Sequence, residues 1–281
     1  MSYRTIDVRP LTGSIGAEIL GVDLSKAPGN ETFDEIHRAF AEYLVIFLRD
    51  QTLSPADFVG FASRFGRLDP HHYLKGMDGQ PEILEIVREP TNPKIFAPGW
   101  HGDVTWQAKP VLGAMLYGLD VPEVGGDTLF ANQYLAYETL SPGMKRLLDG
   151  LKAVHGTAKI YGDKAEDYTY VQNLKVDRKE AAKSENVHPV VRTHPVTGRK
   201  ALFVNDHYTL RFEDMTEAES APLLDFLFRH AIRPEFTCRF RWGKGSIAFW
   251  DNRCTLHTPI DDYFGKRRHM WRVTIAGDRP V

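Results

Sequence analysis

Trp100-His101-Gly102-Asp103, together with Cys254-Thr255-Leu256-His257 far downstream, carries the most information about what this chain folds into. A strand sends alternate side chains to one face, so a His-x-Asp pair in extended conformation aims an imidazole and a carboxylate at a common centre. His257 completes a triangle. Three such ligands on one face of an octahedral ion leave the opposite positions open for a bidentate co-substrate and dioxygen, the 2-His-1-carboxylate arrangement of non-haem ferrous oxygenases. A His-x-Asp tripeptide by itself is a weak metal signal, because it is common at strand ends and on surfaces.

The C-terminal segment Lys266-Arg267-Arg268-His269-Met270-Trp271-Arg272-Val273-Thr274-Ile275 adds a second, independent signal. In an extended strand Arg268, Met270, Arg272 and Thr274 share one face, while His269, Trp271, Val273 and Ile275 take the other. The aromatic and β-branched neighbours predict a partly buried strand. A buried guanidinium needs an anion. Its planar fork binds carboxylates through two parallel hydrogen bonds, so Arg268 and Arg272 suit two acid groups entering one pocket beside the metal.

Composition sets the bounds. With 281 residues, 42% of them apolar, the chain can bury a sizeable core, and no repeat or linker divides it, so a single domain over residues 1–281 is expected. A net charge of -2, from 35 basic and 37 acidic residues without blocks of one sign, argues against nucleic acid as a partner. No stretch of about 18 apolar residues is present to span a bilayer, and residues 1–13 lack the apolar centre of a signal peptide, so no membrane partner and a cytoplasmic location are expected. Cys238 and Cys254 are too few for a disulfide framework, and a reducing compartment suits ferrous iron. Cys254, near Trp250 and Leu256, reads as a packed core thiol.

Periodicity predicts short strands at 3–8, 15–22, 45–48, 83–87, 111–118, 127–132, 236–242, 246–251 and 271–275, with a hairpin joining 187–193 to 200–205. Helices are expected after a Thr32/Glu35 capping box, after Ser54-Pro55, over 139–151 around Pro142, and after a Thr216/Glu219 capping box. Phe58, Phe61 and Phe65 read as a core stripe. The loop-rich stretch 69–99 suggests the surroundings of a site. The polar stretch 162–185 reads as a mobile lid or insertion. Many short strands, scattered helices and metal ligands from separate strands suit a mainly β jelly roll with helical cover.

In Leu11-Thr12-Gly13-Ser14-Ile15-Gly16-Ala17-Glu18-Ile19, Trp100-His101-Gly102-Asp103-Val104-Thr105, Gly125-Gly126-Asp127-Thr128 and Trp250-Asp251-Asn252-Arg253 before His257, the chain resembles the taurine dioxygenase family, which also includes phenoxyalkanoate dioxygenases and alkylsulfatases. The resemblance covers nearly the whole chain. It implies a double-stranded β-helix, Fe(II) on His101, Asp103 and His257, and 2-oxoglutarate as co-substrate with its distal carboxylate on Thr128 and Arg268. Dioxygen would be the oxidant, with succinate and carbon dioxide formed as the substrate is hydroxylated. Hydroxylation at a carbon bearing oxygen or sulfonate would lead to loss of that leaving group. Asp103 separates the chain from related halogenases, which by the same resemblance lack the carboxylate. Gly102 is smaller than the residue many relatives carry there. A homodimer or tetramer is also implied.

In the taurine enzyme, counterparts of His71 and Arg272 bind the sulfonate, which implies a small anionic substrate; His71 is preferred over its neighbour His72. Ala97 and Ile160 stand where that enzyme has asparagine and serine, so polar contacts for a small amino group are missing. Tyr73, Leu74, Ile95, Phe96, Ile160 and Tyr161 are candidates for an apolar lining that takes an alkyl or aryl tail. His155, His188, His194, His207 and His269 read as scaffold. The main rival is a biosynthetic hydroxylase of an amino-acid derivative, which would need a buried acid near Ala97 and Ile160. A non-catalytic metal-binding jelly roll is the other.

Overall fold

The computed structural model describes residues 3–71, 73–92, 95, 97–161 and 178–281. Most of the stretch expected to form a lid, 162–177, therefore lies outside the described residues, as do His72 and Phe96. In chain order the strands are β1 (Asp7–Pro10), β2 (Ala17–Leu20), β3 (Val45–Leu48), β4 (Leu84–Arg88), β5 (Gly113–Asp120), β6 (Thr128–Asn132), β7 (Lys152–Gly156), β8 (Glu185–Pro189), β9 (Val191–Thr193), β10 (Lys200–Leu202), β11 (Thr209–Phe212), β12 (Thr237–Phe240), β13 (Ile247–Asp251), β14 (Thr255–Pro259) and β15 (Arg268–Ile275). The helices are α1 (Asn30–Tyr43), α2 (Pro55–Ser63), α3 (Gln133–Glu138), α4 (Pro142–Leu148), α5 (Ala158–Tyr161), α6 (Arg178–Ala181) and α7 (Glu217–Ala231).

Seven strands form the larger sheet in the order β1-β2-β3-β13-β5-β15-β4, antiparallel throughout except where β2 meets β3. Its central strands are buried on both faces, so Val45-Ile46-Phe47-Leu48 and Ile247-Ala248-Phe249-Trp250 are continuous apolar runs rather than alternating ones. One face packs under α1 and α2, where Phe40 stacks on Phe249 with ring centroids 3.9 Å apart. The other meets the smaller sheet β12-β6-β14, with Phe47 stacked on Phe240 at 4.0 Å and edge-on to Phe130 at 5.7 Å. Burying one such side chain contributes about 1.5–3 kcal/mol. Helices α3 and α7 cover the outer side of the smaller sheet through Ala131, Ala136, Leu224, Leu227 and Leu256. The result is the jelly-roll sandwich expected, and the site lies between its two sheets.

Two local expectations need correction. Helix α1 starts at a Gly29 cap with no side-chain hydrogen bond, and Thr32/Glu35 is no capping box. Glu35 instead accepts from the Arg4 and Thr5 N–H groups at 2.8 Å and from the Thr5 hydroxyl at 2.8 Å, tying the N-terminal segment to the helix. The helix expected over 139–151 is shorter: α4 opens at Pro142 behind a Ser141 cap, and α3, capped by Asn132, was not anticipated. The reciprocal Thr216/Glu219 box is present, and Ser54 forms one with Asp57. Among the described residues no helix is long and apolar enough to cross a membrane.

Candidate active site

The two histidines converge because their backbones pair. His101 N–H donates to His257 C=O at 3.0 Å and His257 N–H to His101 C=O at 2.9 Å, an isolated antiparallel bridge beside β6. Directly opposed residues in such a pair raise their side chains on one face, and the ring centroids stand 4.2 Å apart. Asp103 arrives differently from the expected alternation. Residues 103–106 form a turn in which Val104 has φ +45°, a left-handed conformation costly for a β-branched side chain. That turn brings Asp103 Oδ1 to 3.8 Å from Nε2 of both histidines. All three side chains are buried.

The Trp-Asp-Asn-Arg segment holds this carboxylate. Asn252 Oδ1 accepts from the Asp103 N–H at 2.6 Å while its Nδ2 donates to the Asp103 C=O at 3.0 Å, and Trp250 Nε1 donates to Asp103 Oδ2 at 3.2 Å. His101 Nδ1 donates to Gly99 C=O at 2.8 Å, which leaves the Nε2 lone pair for an ion. Burial keeps both imidazoles neutral, pushing His101 down and His257 well down. Burial alone would raise the Asp103 carboxyl, but the Arg272 guanidinium overcomes this and holds it well below the usual carboxylate range. Two neutral imidazoles and one carboxylate are the donor set a ferrous ion takes.

A second group of possible ligands, His194, Asp251 and Cys254, also lies within 4.8 Å. Its lone pairs are spent. Asp251 accepts from Arg253 Nε and Nη2 at 2.8 and 2.7 Å and from His194 Nε2 at 3.0 Å, and His194 Nδ1 accepts from Val196 and Thr197 N–H groups at 3.2 Å. Burial pushes the Cys254 thiol well up, so no thiolate is present. This cluster fixes the turn ahead of β14, and Cys254 is the core thiol expected.

A cavity of about 410 Å³ opens from His101 and His257 along the buried face of β15. Thr128, Arg268 and Arg272 all line it, as the strand parity predicted for the two arginines. Thr128 Oγ1 accepts from Trp242 Nε1 at 3.0 Å, so its own proton is available to another acceptor. Arg268 has a buried Nε with no partner, and burial lowers its pKa. Arg272 has the same unpartnered Nε, while its Nη2 lies 2.7 Å from Asp103 Oδ1. The Gly125-Gly126 turn is obligatory: Gly125 has φ +88°, and a Cβ there would fall 2.6 Å from the Asp262 carbonyl oxygen. Orphaned guanidinium donors beside a facial ligand set fit a ferrous ion chelated by a dicarboxylate.

Of the residues expected to form an apolar lining, Leu74 and Ile95 border this cavity, as does Ala97, but His71, Tyr73, Ile160 and Tyr161 do not. His71 Nδ1 accepts from the Tyr73 and Leu74 N–H groups at 3.1 Å, which places its proton on Nε2. Tyr73 stacks on Trp106 at 4.9 Å, meets Tyr161 edge-on at 5.6 Å, and shares a 2.8 Å hydrogen bond with Ser184. Tyr208 is buried, which pushes its hydroxyl up, and its ring meets that of His207 edge-on at 4.9 Å. Trp106, at the end of the Asp103 turn, and Tyr208, against His207, thus stand near the metal ligands, and neither was picked out in the sequence. His207, expected to be scaffold, stands with its ring 5.0 Å from that of His101. A tight loop holds both residues: Asn205 Oδ1 accepts from Tyr208 N–H at 2.9 Å, and Asn205 Nδ2 donates to Thr105 Oγ1 at 3.2 Å. The polar run Asn205-Asp206-His207-Tyr208 between two apolar strands was the available signal.

A jelly roll with two histidines and a carboxylate opening onto a cation-lined cavity defines a metal-dependent oxygenase. The Taurine catabolism dioxygenase TauD, TfdA family matches residues 7–274, and the chain belongs to that family. It is 36% identical over 279 residues to an alkylsulfatase of Acinetobacter baylyi (strain ATCC 33305 / BD413 / ADP1), covering 97% of this chain and 86% of that protein. Identity is also 36%, over 281 residues, to an alpha-ketoglutarate-dependent sulfate ester dioxygenase of Pseudomonas putida, covering 98% of this chain and 91% of the other. A crystal structure of a taurine dioxygenase from Burkholderia xenovorans has a TM-score of 0.83 at 36% identity, covering 99% of this chain and 93% of that one. The protein is thus a 2-oxoglutarate-dependent dioxygenase with small-molecule substrates.

Proposed function

We propose that the chain hydroxylates an alkyl sulfate ester or sulfonate at the carbon next to the leaving group. In this assignment His101, Asp103 and His257 hold Fe(II), Thr128 and Arg268 hold the distal carboxylate of 2-oxoglutarate, and Arg272, which lines the cavity where His71 does not, takes the substrate's anionic head. The observation that carries it is the pair of buried arginines, each with an unspent Nε, on the cavity-lining face of β15. When bound, the iron with 2-oxoglutarate and dioxygen supplies the oxidant that hydroxylates the substrate carbon, releasing succinate and carbon dioxide. Hydroxylation of the carbon bearing a sulfate ester gives an adduct whose C–O bond to sulfate breaks as the carbonyl forms, releasing sulfate and a proton.

The chain's own residues orient and exclude. Trp250 and Asn252 fix Asp103, Arg268 orients the co-substrate by its far end, and the apolar lining of Leu74 and Ile95 keeps water from the reacting carbon. Leu74, Ile95 and Ala97 favour an apolar tail over a substrate amine, and the cavity's acids, Glu85 and Glu89, are exposed rather than buried near Ala97. Two buried free thiols accord with a reducing, cytoplasmic setting. The test is succinate release from 2-oxoglutarate by Fe(II)-loaded protein across alkyl sulfates, sulfonates and aryloxyalkanoates. Stimulation by alkyl sulfates or sulfonates is expected. Stimulation by aryloxyalkanoates alone would replace the substrate class, and no 2-oxoglutarate binding would overturn the site.

A further inference from the structure

Arg272 touches both halves of the chemistry at once. Asp103 Oδ1 is the oxygen that faces the two imidazoles, at 3.8 Å from each Nε2, and the same oxygen lies 2.7 Å from Arg272 Nη2. The other carboxylate oxygen is occupied by Trp250 Nε1 at 3.2 Å. The guanidinium lies 5.8 Å from the Trp250 ring centroid, is buried, borders the cavity, and keeps its Nε without a partner. This planar cation therefore rests on the metal-facing oxygen through Nη2, while the Nε on the same edge remains a donor without a partner.

We infer that Arg272 is a positioning residue that couples binding of an anionic substrate head to the metal site through Asp103. This rests on the ligand assignment proposed above. A guanidinium on Oδ1 draws electron density from the oxygen that must bind a dication, and its own positive charge repels that dication in a site shielded from water. An anion that takes the free Nε and competes with Oδ1 for Arg272 neutralises that charge and loosens its hold on Oδ1. Both effects favour metal binding, so an anion should tighten the metal, and by thermodynamic reciprocity the metal should tighten the anion by the same factor. The coupling needs no movement of the triad, because Trp250 and Asn252 keep Asp103 in place.

The test uses the full-length protein with Mn(II) as the metal probe and methanesulfonate as the anion, at one pH and matched ionic strength with chloride as control. Free Mn(II) is followed by its electron paramagnetic resonance signal, so activity is not involved. The expected result is a tightening of the Mn(II) dissociation constant by about fivefold or more, the lower end of typical couplings. The effect should vanish in Arg272→Ala and persist in Arg268→Ala. Wild-type Mn(II) binding indifferent to methanesulfonate overturns the coupling while leaving the triad intact. Survival of the full effect in Arg272→Ala overturns it equally. Absence of Mn(II) binding, or binding unaffected by Asp103→Ala, would bring down the ligand assignment and the coupling with it. The wild-type titration stands whether or not the Arg272 variant folds.

Discussion

Removing the Asn252 side chain should damage the fold and the metal site together, and the size of both losses follows from its hydrogen bonds. Asn252 is only 2% exposed and bonds to Asp103 N–H at 2.6 Å, Asp103 C=O at 3.0 Å and Val111 C=O at 3.3 Å. In Asn252→Ala, buried groups on the Asp103 backbone lose their partner, and each such group costs about 1–3 kcal/mol. A void of about 10 Å³ already lies beside Asn252, bordered by Gly102 and Thr105. Enlarged by the missing amide it would admit a water, which recovers part of the loss. The net expectation is about 2–4 kcal/mol, or roughly 3–7 °C in melting temperature for a chain of this size. Val104 makes the second loss predictable. Its left-handed backbone persists only because the surroundings hold the turn, so freeing the Asp103 amide lets the turn relax and withdraws Oδ1 from the histidines. Urea denaturation of the metal-free protein and Mn(II) titration measure the two effects separately. A stability loss under about 1 kcal/mol with unchanged Mn(II) affinity would refute the account of how Asp103 is held.

Three further outcomes are expected. Gly125→Ala should cost about 2–3 kcal/mol, because a strained backbone is joined by a Cβ at 2.6 Å from Asp262, while Gly150→Ala, at the same φ of +88° with nothing within 4 Å, should cost only about 1–2 kcal/mol; equal losses in paired denaturation curves would remove the steric part of the explanation. Trp242→Phe deletes the donor to Thr128 Oγ1 and should weaken 2-oxoglutarate binding several-fold, by about 0.5–1.5 kcal/mol, measured by calorimetry on the Mn(II) form; tighter or equal binding would contradict the role given to Thr128. Glu35 has its carboxyl lowered from 4.5 to about 2, since burial works against ionisation but the Thr5 and Arg4 amides and the Thr5 hydroxyl outweigh it. Its folded value lies below the unfolded one, so its contribution is present above pH 4.5 and lost as pH falls towards 2. Glu35→Gln should therefore be less stable than wild type at pH 6, with the gap narrowing as pH falls towards about 2 in urea midpoints; a gap independent of pH would exclude this linkage.

The parts of the site that could be read in the sequence are those set by chain-local geometry. Strand parity placed Arg268 and Arg272 on one face, and they line one cavity. Gly125-Gly126 marked a turn that only glycine tolerates, delivering Thr128 to the start of β6. The same logic failed at His101 and Asp103. Alternation within an extended segment was the obvious way to bring them together, whereas the chain uses a single bridge to His257 and a left-handed turn at Val104. A β-branched residue in that conformation carries no sequence signature, because local preference argues against it and only long-range bonds sustain it. Glu35 failed for the same reason in reverse: a locally plausible cap partner is captured by amides some thirty residues upstream.

His207 and Tyr208 show where local reasoning ends. Neither has a ligand-like spacing, and both reach the metal side only because Asn205 folds the loop after β10 and reaches across to Thr105, two residues beyond Asp103. Asn252 holds Asp103 from the opposite side. Two cavity-facing side chains, Trp250 and Arg272, thus hold the ligand carboxylate itself, while two side-chain amides from distant loops hold its backbone (Asn252) and the turn after it (Asn205). Of these only Arg272 carries charge, so in the proposed assignment it alone can report an anionic substrate to the metal. The other three fix geometry that the metal and the substrate must both accept. Under the proposed assignment, selectivity for the substrate's head rests with Arg272 and the placing of the metal-facing carboxylate with the amides. Changes confined to the cavity's apolar lining, Leu74, Ile95 and Ala97, should alter which tail is accepted without altering Mn(II) affinity.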